Sequence, residues 1–136
     1  MGTQVLDMHR VGKALFVYVD FWNSETGKYN TGLLTFDTGA TITTISKDIL
    51  HNLGYNVIDG GVEKITTASG TEYVREVIVN KIRLNELELE NVTVYAHTFP
   101  EDGFTTGVIG LDILSLFDIN MLFSKQIIEL IPINNT

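Results

Sequence analysis

The stretch Leu33-Leu34-Thr35-Phe36-Asp37-Thr38-Gly39-Ala40-Thr41 constrains this chain more than any other. A strand-type segment runs straight into Asp37, and the β-branched run Thr41-Ile42-Thr43-Thr44-Ile45 follows. A carboxylate at the end of a buried strand is costly unless a site uses it. Thr38-Gly39 suits a tight turn that aims the acid into a cleft. The Asp-Thr-Gly triplet occurs once in the chain, which bears on any chemistry that needs two acids.

The segments around it read as strands. In Ala14–Trp22, Leu15, Val17, Val19 and Phe21 alternate with Phe16, Tyr18 and Trp22, so both faces are apolar and the strand is central. A polar turn over Asn23–Lys28 and a return strand over Tyr29–Phe36 make a hairpin that delivers Asp37 at its end. Thr41–Ile45 is a third strand. Ser46 is a fitting N-cap for a short helix that stops at Gly54, with Ile49, Leu50 and Leu53 as its buried stripe. Val62–Thr67 and Thr71–Val79 form a hairpin around Ala68-Ser69-Gly70. Lys81–Leu84 and Leu87–Ala96 form another pair, where Leu87 and Leu89 alternate with Glu86, Glu88 and Glu90 as a strand with one solvated face does. Phe99–Gly103 is a loop. Val108-Ile109-Gly110 precedes a second short helix, Leu111–Phe117, with Asp112 near its positive end. Ile119–Phe123 and Gln126–Ile131 close the chain as a hairpin. The expectation is a single domain over residues 1–136, all-β apart from two short helices, at spacings typical of a barrel or sandwich.

Composition narrows the function. The absence of cysteine excludes disulfides and thiolate metal sites. His9, His51 and His97 lie far apart without ligand-like spacing, so no metal and no cofactor are expected. A net charge of −8 disfavours nucleic acid and anionic membranes as partners. No apolar run approaches the roughly 20 residues that span a bilayer. The start of the chain has no basic stretch leading into an apolar one, so the cytoplasm is the expected compartment.

The order strand–Asp37-Thr38-Gly39-Ala40–strand, small-tipped hairpin, then Val108-Ile109-Gly110 and a helix resembles the retropepsins, the single-domain aspartic peptidases of retroviral type. The resemblance covers about residues 13–131. Gly110-Leu111-Asp112-Ile113-Leu114 is similar to the Gly-Leu-Asp-Met-Leu stretch of the cellular branch and to predicted bacterial aspartyl proteases. Leu111 stands where viral enzymes usually carry arginine, so that arginine's salt bridges do not carry over.

The resemblance implies a closed β-barrel, an acid-protease half, that works as a symmetric homodimer. Asp37 would be catalytic, facing its copy in the partner across a two-fold axis. The pair would share a proton, as aspartic-protease dyads are known to do, and would activate a water against a peptide carbonyl. Thr38 would bond across the interface, Gly39 would admit the substrate backbone, and Ala40 would be the small residue beside the dyad. Val108, Ile109 and Gly110 would form the floor. Thr67, Ala68, Ser69 and Gly70 would form a flap over a peptide or protein substrate in extended conformation. A single triplet makes the dimer obligatory, because Glu101-Asp102-Gly103 and Asp118-Ile119-Asn120 offer no second copy. Gln126–Ile133 is an apolar candidate for the interface.

Two other readings compete. Asp37-Thr38-Gly39-Ala40-Thr41 also fits Asp-x-Gly-x-Thr, a phosphate loop of actin-like sugar kinases, but those folds need two large α/β domains. A retropepsin fold can also serve as a binding or dimerisation module with little peptidase activity, since fold alone does not establish function.

Overall fold

Alternation in the strand after Lys13 sets the centre of the molecule. Val17, Val19 and Phe21 are almost fully buried, while Tyr18 between them is exposed. The computed structural model describes residues 2–67, 70–98 and 106–133. Among these, the chain forms β1 (Gln4–Asp7), β2 (His9–Val11), β3 (Ala14–Asn23), β4 (Lys28–Phe36), β5 (Thr44–Ser46), α1 (Lys47–Asn52), β6 (Val62–Thr67), β7 (Gly70–Leu84), β8 (Leu87–His97), β9 (Gly107–Ile109), α2 (Leu111–Leu114), β10 (Phe117–Leu122) and β11 (Ile127–Pro132). The fold is mostly β with two short helices, as the patterning implied.

The larger sheet runs β2-β3-β4-β9-β5-β8-β7-β6. Phe21 also pairs with Ile82, so β7 returns to β3 and six strands close into a ring. Val17, Val19, Phe21, Leu34, Phe36, Ile45, Val77, Val79, Val94 and Ile109 belong to one buried cluster. Burying each of these contributes about 1.5–3 kcal/mol. The smaller sheet runs β1-β11-β10.

Several boundaries differ from the sequence expectations. Nothing before Ala14 suggests a strand, yet β1 pairs with β11 and β2 with β3. Short edge segments owe their conformation to the strand beside them, not to their own composition. The third strand begins at Thr44, not Thr41, because the preceding residues bend over Gly110 and Asp112. The segments read as separate strands over Thr71–Val79 and Lys81–Leu84 are one strand, β7, which pairs with β6 over its first residues and with β8 from Arg75 to Leu84. The second helix ends at Leu114, and Phe117 already belongs to β10. The last hairpin turns through a 3-10 segment, Phe123–Lys125, with Gln126 left-handed at φ 55°. The first helix is as expected: the Ser46 hydroxyl accepts from the Ile49 amide, and Gly54 stops the helix at φ +90°.

The interface candidate Gln126–Ile133 contains β11. β11 is hydrogen-bonded on one side to β1 and on the other to β10. A strand with both edges occupied cannot accept another, so within this sheet, among the described residues, a partner strand could pair only at β1 or β10. No described helix is long and apolar enough to cross a membrane.

Candidate active site

The site is built where β9 slots between β4 and β5. β9 pairs parallel with β4, with Phe36 beside Ile109, and antiparallel with β5, with Thr44 beside Val108. The loop from Asp37 to Thr43 therefore joins two strands that are not neighbours, and it must pass over the end of β9. Two glycines permit the close approach. A Cβ on Gly107 would lie 2.4 Å from the Thr44 carbonyl oxygen, and one on Gly110 would lie 2.5 Å from that of Ile42. Both contacts are far inside van der Waals range and involve backbone that cannot step aside.

Hydrogen bonds pin the loop from below. The Asp37 amide donates to the Ile109 carbonyl at 3.1 Å, and the Leu111 amide donates to the Ala40 carbonyl at 2.8 Å. Within the loop, the Gly39 amide donates to Asp37 Oδ1 at 2.8 Å, and the Ala40 amide donates to the Asp37 carbonyl at 3.2 Å. The Asp37 carboxylate is thus oriented by its own turn while remaining exposed. Thr38 and Gly39 are exposed beside it, Ala40 is half-buried, and Ile109 and Gly110 are buried beneath.

A second layer holds this arrangement. Thr43 is 1% exposed. Its hydroxyl donates to Asp112 Oδ1 at 2.6 Å and accepts from the Gly110 amide at 3.0 Å, and its own amide donates to Asp112 Oδ2 at 2.9 Å. Asp112 Oδ1 also accepts from the Ile113 amide at 2.9 Å. One carboxylate therefore bonds an amide in the first turn of α2 and ties that helix to the Asp37 loop. In the sequence Asp112 reads only as a favourable charge at a helix start, and Thr43 as one residue of a strand. They are 69 residues apart, with no local pattern to link them.

The carboxylate opens on a cleft of about 550 Å³ lined by Asp37, Gly39, Ala40, Thr41, Ile42, Thr44, Glu63, Lys64, Ile65, Thr66 and Val108. One wall is the Asp37 loop with β5 and β9, and the other is β6. The hairpin expected to act as a flap is thus beside the acid, with Thr67 paired to Gly70 at its end. Ala68 and Ser69 of the expected tip lie outside the described residues, as does the loop Phe99–Gly103. Of the expected floor, only Val108 reaches the cleft, whereas Ile109 and Gly110 support it from behind. Ile42, Thr44, Glu63 and Ile65 line the cleft without any mark in the sequence, since only the curl of the sheet brings β6 over β5.

Comparison with known proteins follows this geometry. A family model described as aspartyl protease matches residues 10–113. No curated protein sequence matches. The crystal structure of a retropepsin-like aspartic protease from Rickettsia conorii aligns with a TM-score of 0.66 at 18% sequence identity, covering 95% of this chain and 89% of that one. The chain belongs to the aspartyl protease family and has a retropepsin-like fold.

Proposed function

We propose that the chain is an aspartic endopeptidase whose active site is completed by a second copy of itself. The observation that carries the reading is the exposed Asp37 carboxylate, oriented by the Gly39 amide at the mouth of a peptide-sized cleft. Each chain has one such loop, so the second carboxylate comes from Asp37 of the partner in a symmetric homodimer. Two carboxylates facing each other a few ångströms apart cannot both ionise cheaply, and the pair holds one proton between them. The ionised member takes a proton from a bound water as the water attacks the peptide carbonyl. The protonated member donates to the carbonyl oxygen, and a proton then passes to the departing amine. Thr38 bonds across the two-fold axis, and Gly39 lets the substrate backbone come close. The β6–β7 hairpin, with Thr67 and Gly70 at its described end, closes over an extended peptide and excludes water.

The test is hydrolysis of an unbiased peptide library between mildly acidic and neutral pH, with Asp37→Asn as control. Asparagine keeps an acceptor for the Gly39 amide, so the loop should hold while turnover disappears. Equal turnover by the variant would sink the dyad. Sedimentation of the native chain should show a dimer, and a strict monomer at high concentration would leave Asp37 without its partner. Absence of cleavage by the native chain at every pH would point to a binding module on the same fold.

A further inference from the structure

One face of the sheet can be traced through the cleft, because directly paired residues project to the same side. Val108 pairs with Thr44, Thr44 with Tyr95, and Tyr95 with Glu76. Along β7 the same face continues from Glu76 to Val74 and Glu72, which pair with Glu63 and Ile65 of β6. Thr44, Val108, Glu63 and Ile65 thus share a face, and all four line the cleft with Asp37 and Ile42. Lys64 also borders the cleft, but it pairs with Tyr73, which is 70% exposed on the opposite face. Its side chain therefore leaves β6 on the face opposite to Glu63 and Ile65.

On the face that carries Glu63 the charge is negative. Glu63 makes no ion pair and no side-chain hydrogen bond among the described residues, and neither does Glu76. His97, on the same face, is engaged by Glu72. Burial first, then Glu76, Glu63 and Asp112, raise the Tyr95 phenol above its ordinary range. Ile42 and Ile65 supply apolar surface to the cleft that Asp37 and Glu63 also line. Apolar side chains beside a carboxylate that has no partner among the described residues match a long aliphatic stem with a cationic head.

Resting on the peptidase reading, we propose that the cleft selects peptides bearing a lysine or arginine near the scissile bond, with Glu63 receiving the cationic head and Ile42 and Ile65 flanking its stem. The substrate class is thus basic extended segments, in keeping with a chain of net charge −8.

The experiment separates recognition from hydrolysis. A randomised decapeptide library with blocked ends is selected for binding by the Asp37→Asn chain and by the Asp37→Asn/Glu63→Gln chain. The expected result is enrichment of lysine and arginine at one position by the first, reduced roughly five- to tenfold by the second, and replaced by acidic residues with Glu63→Lys. Glu63 is exposed, so these variants should fold, and their circular dichroism should match that of the parent. No basic enrichment, or enrichment that survives Glu63→Gln, would overturn the assignment. Basic enrichment without cleavage by the native chain would overturn the peptidase reading and leave Glu63 in its role. Cleavage with no basic preference would do the reverse.

Discussion

Thr43→Val tests whether the layer under Asp37 holds the site. Valine keeps the shape of threonine and removes only the hydroxyl. The bond from that hydroxyl to Asp112 Oδ1, at 2.6 Å, is charge-assisted and partly buried. Such a bond contributes about 1.5–3 kcal/mol. The Gly110 amide, buried at 3.0 Å from the same oxygen, would be left without its acceptor. An orphaned buried donor costs a further ~1–3 kcal/mol. Asp112 would keep the Thr43 and Ile113 amides, so the ion itself would not be stranded. The two losses share one oxygen and are not additive, which places the expected cost at about 3 kcal/mol. Thr43→Ser keeps both bonds, loses one methyl, and should cost about 1 kcal/mol. Urea unfolding at fixed protein concentration measures both, and the slope should stay unchanged. Freed from Gly110, the Leu111–Ala40 tie loosens, and kcat/KM should fall roughly tenfold or more in the valine variant. A valine variant no less stable than the serine one would refute the role given to the hydroxyl.

Other expectations follow from the same contacts. In Gly110→Ala the new Cβ meets the carbonyl oxygens of Ile42 at 2.5 Å and Ala40 at 2.8 Å, so thermal unfolding should show a loss above about 3 kcal/mol, together with loss of turnover. Tyr55→Phe removes a hydroxyl that donates to the Trp22 carbonyl at 2.5 Å and accepts from the Asn80 amide at 3.3 Å, with an expected cost of about 1–2 kcal/mol. Burial raises the Tyr55 phenol above its ordinary range near 10, outweighing the Asn80 amide bond that lowers it. A raised folded-state value favours the folded protein fully below the unfolded phenol pKa and is lost as pH rises through the folded one. Urea midpoints should therefore fall more steeply above pH 10 in the native chain than in Tyr55→Phe, and parallel pH dependences would refute this.

What was legible in the sequence followed from local physics. The apolar alternation of Ala14–Trp22, the Ser46 cap with its Gly54 stop, and the Leu87–Glu90 alternation each act within a few residues. Each appears in the structure close to where its pattern put it. The Asp37 turn belongs with them, since its strand, its glycine and its aim are all encoded within about ten residues. Boundaries failed where a neighbour decides them. β1 and β2 exist because β11 and β3 offer edges, and Thr41–Thr43 leave the sheet because Gly110 and Asp112 compete for their backbone.

By itself, then, the sequence determined a mostly β chain with an acid in a turn at the end of a strand and no second copy of its motif. Tertiary structure alone decided what surrounds that acid. Threading β9 between β4 and β5 made Thr43 and Asp112 its support, and curling β6 over β5 put Glu63 and Ile65 across from it. The physical reason is range. Caps, turns and alternation are set by neighbours in the chain, whereas a cleft is set by contacts between segments tens of residues apart, which no local pattern records.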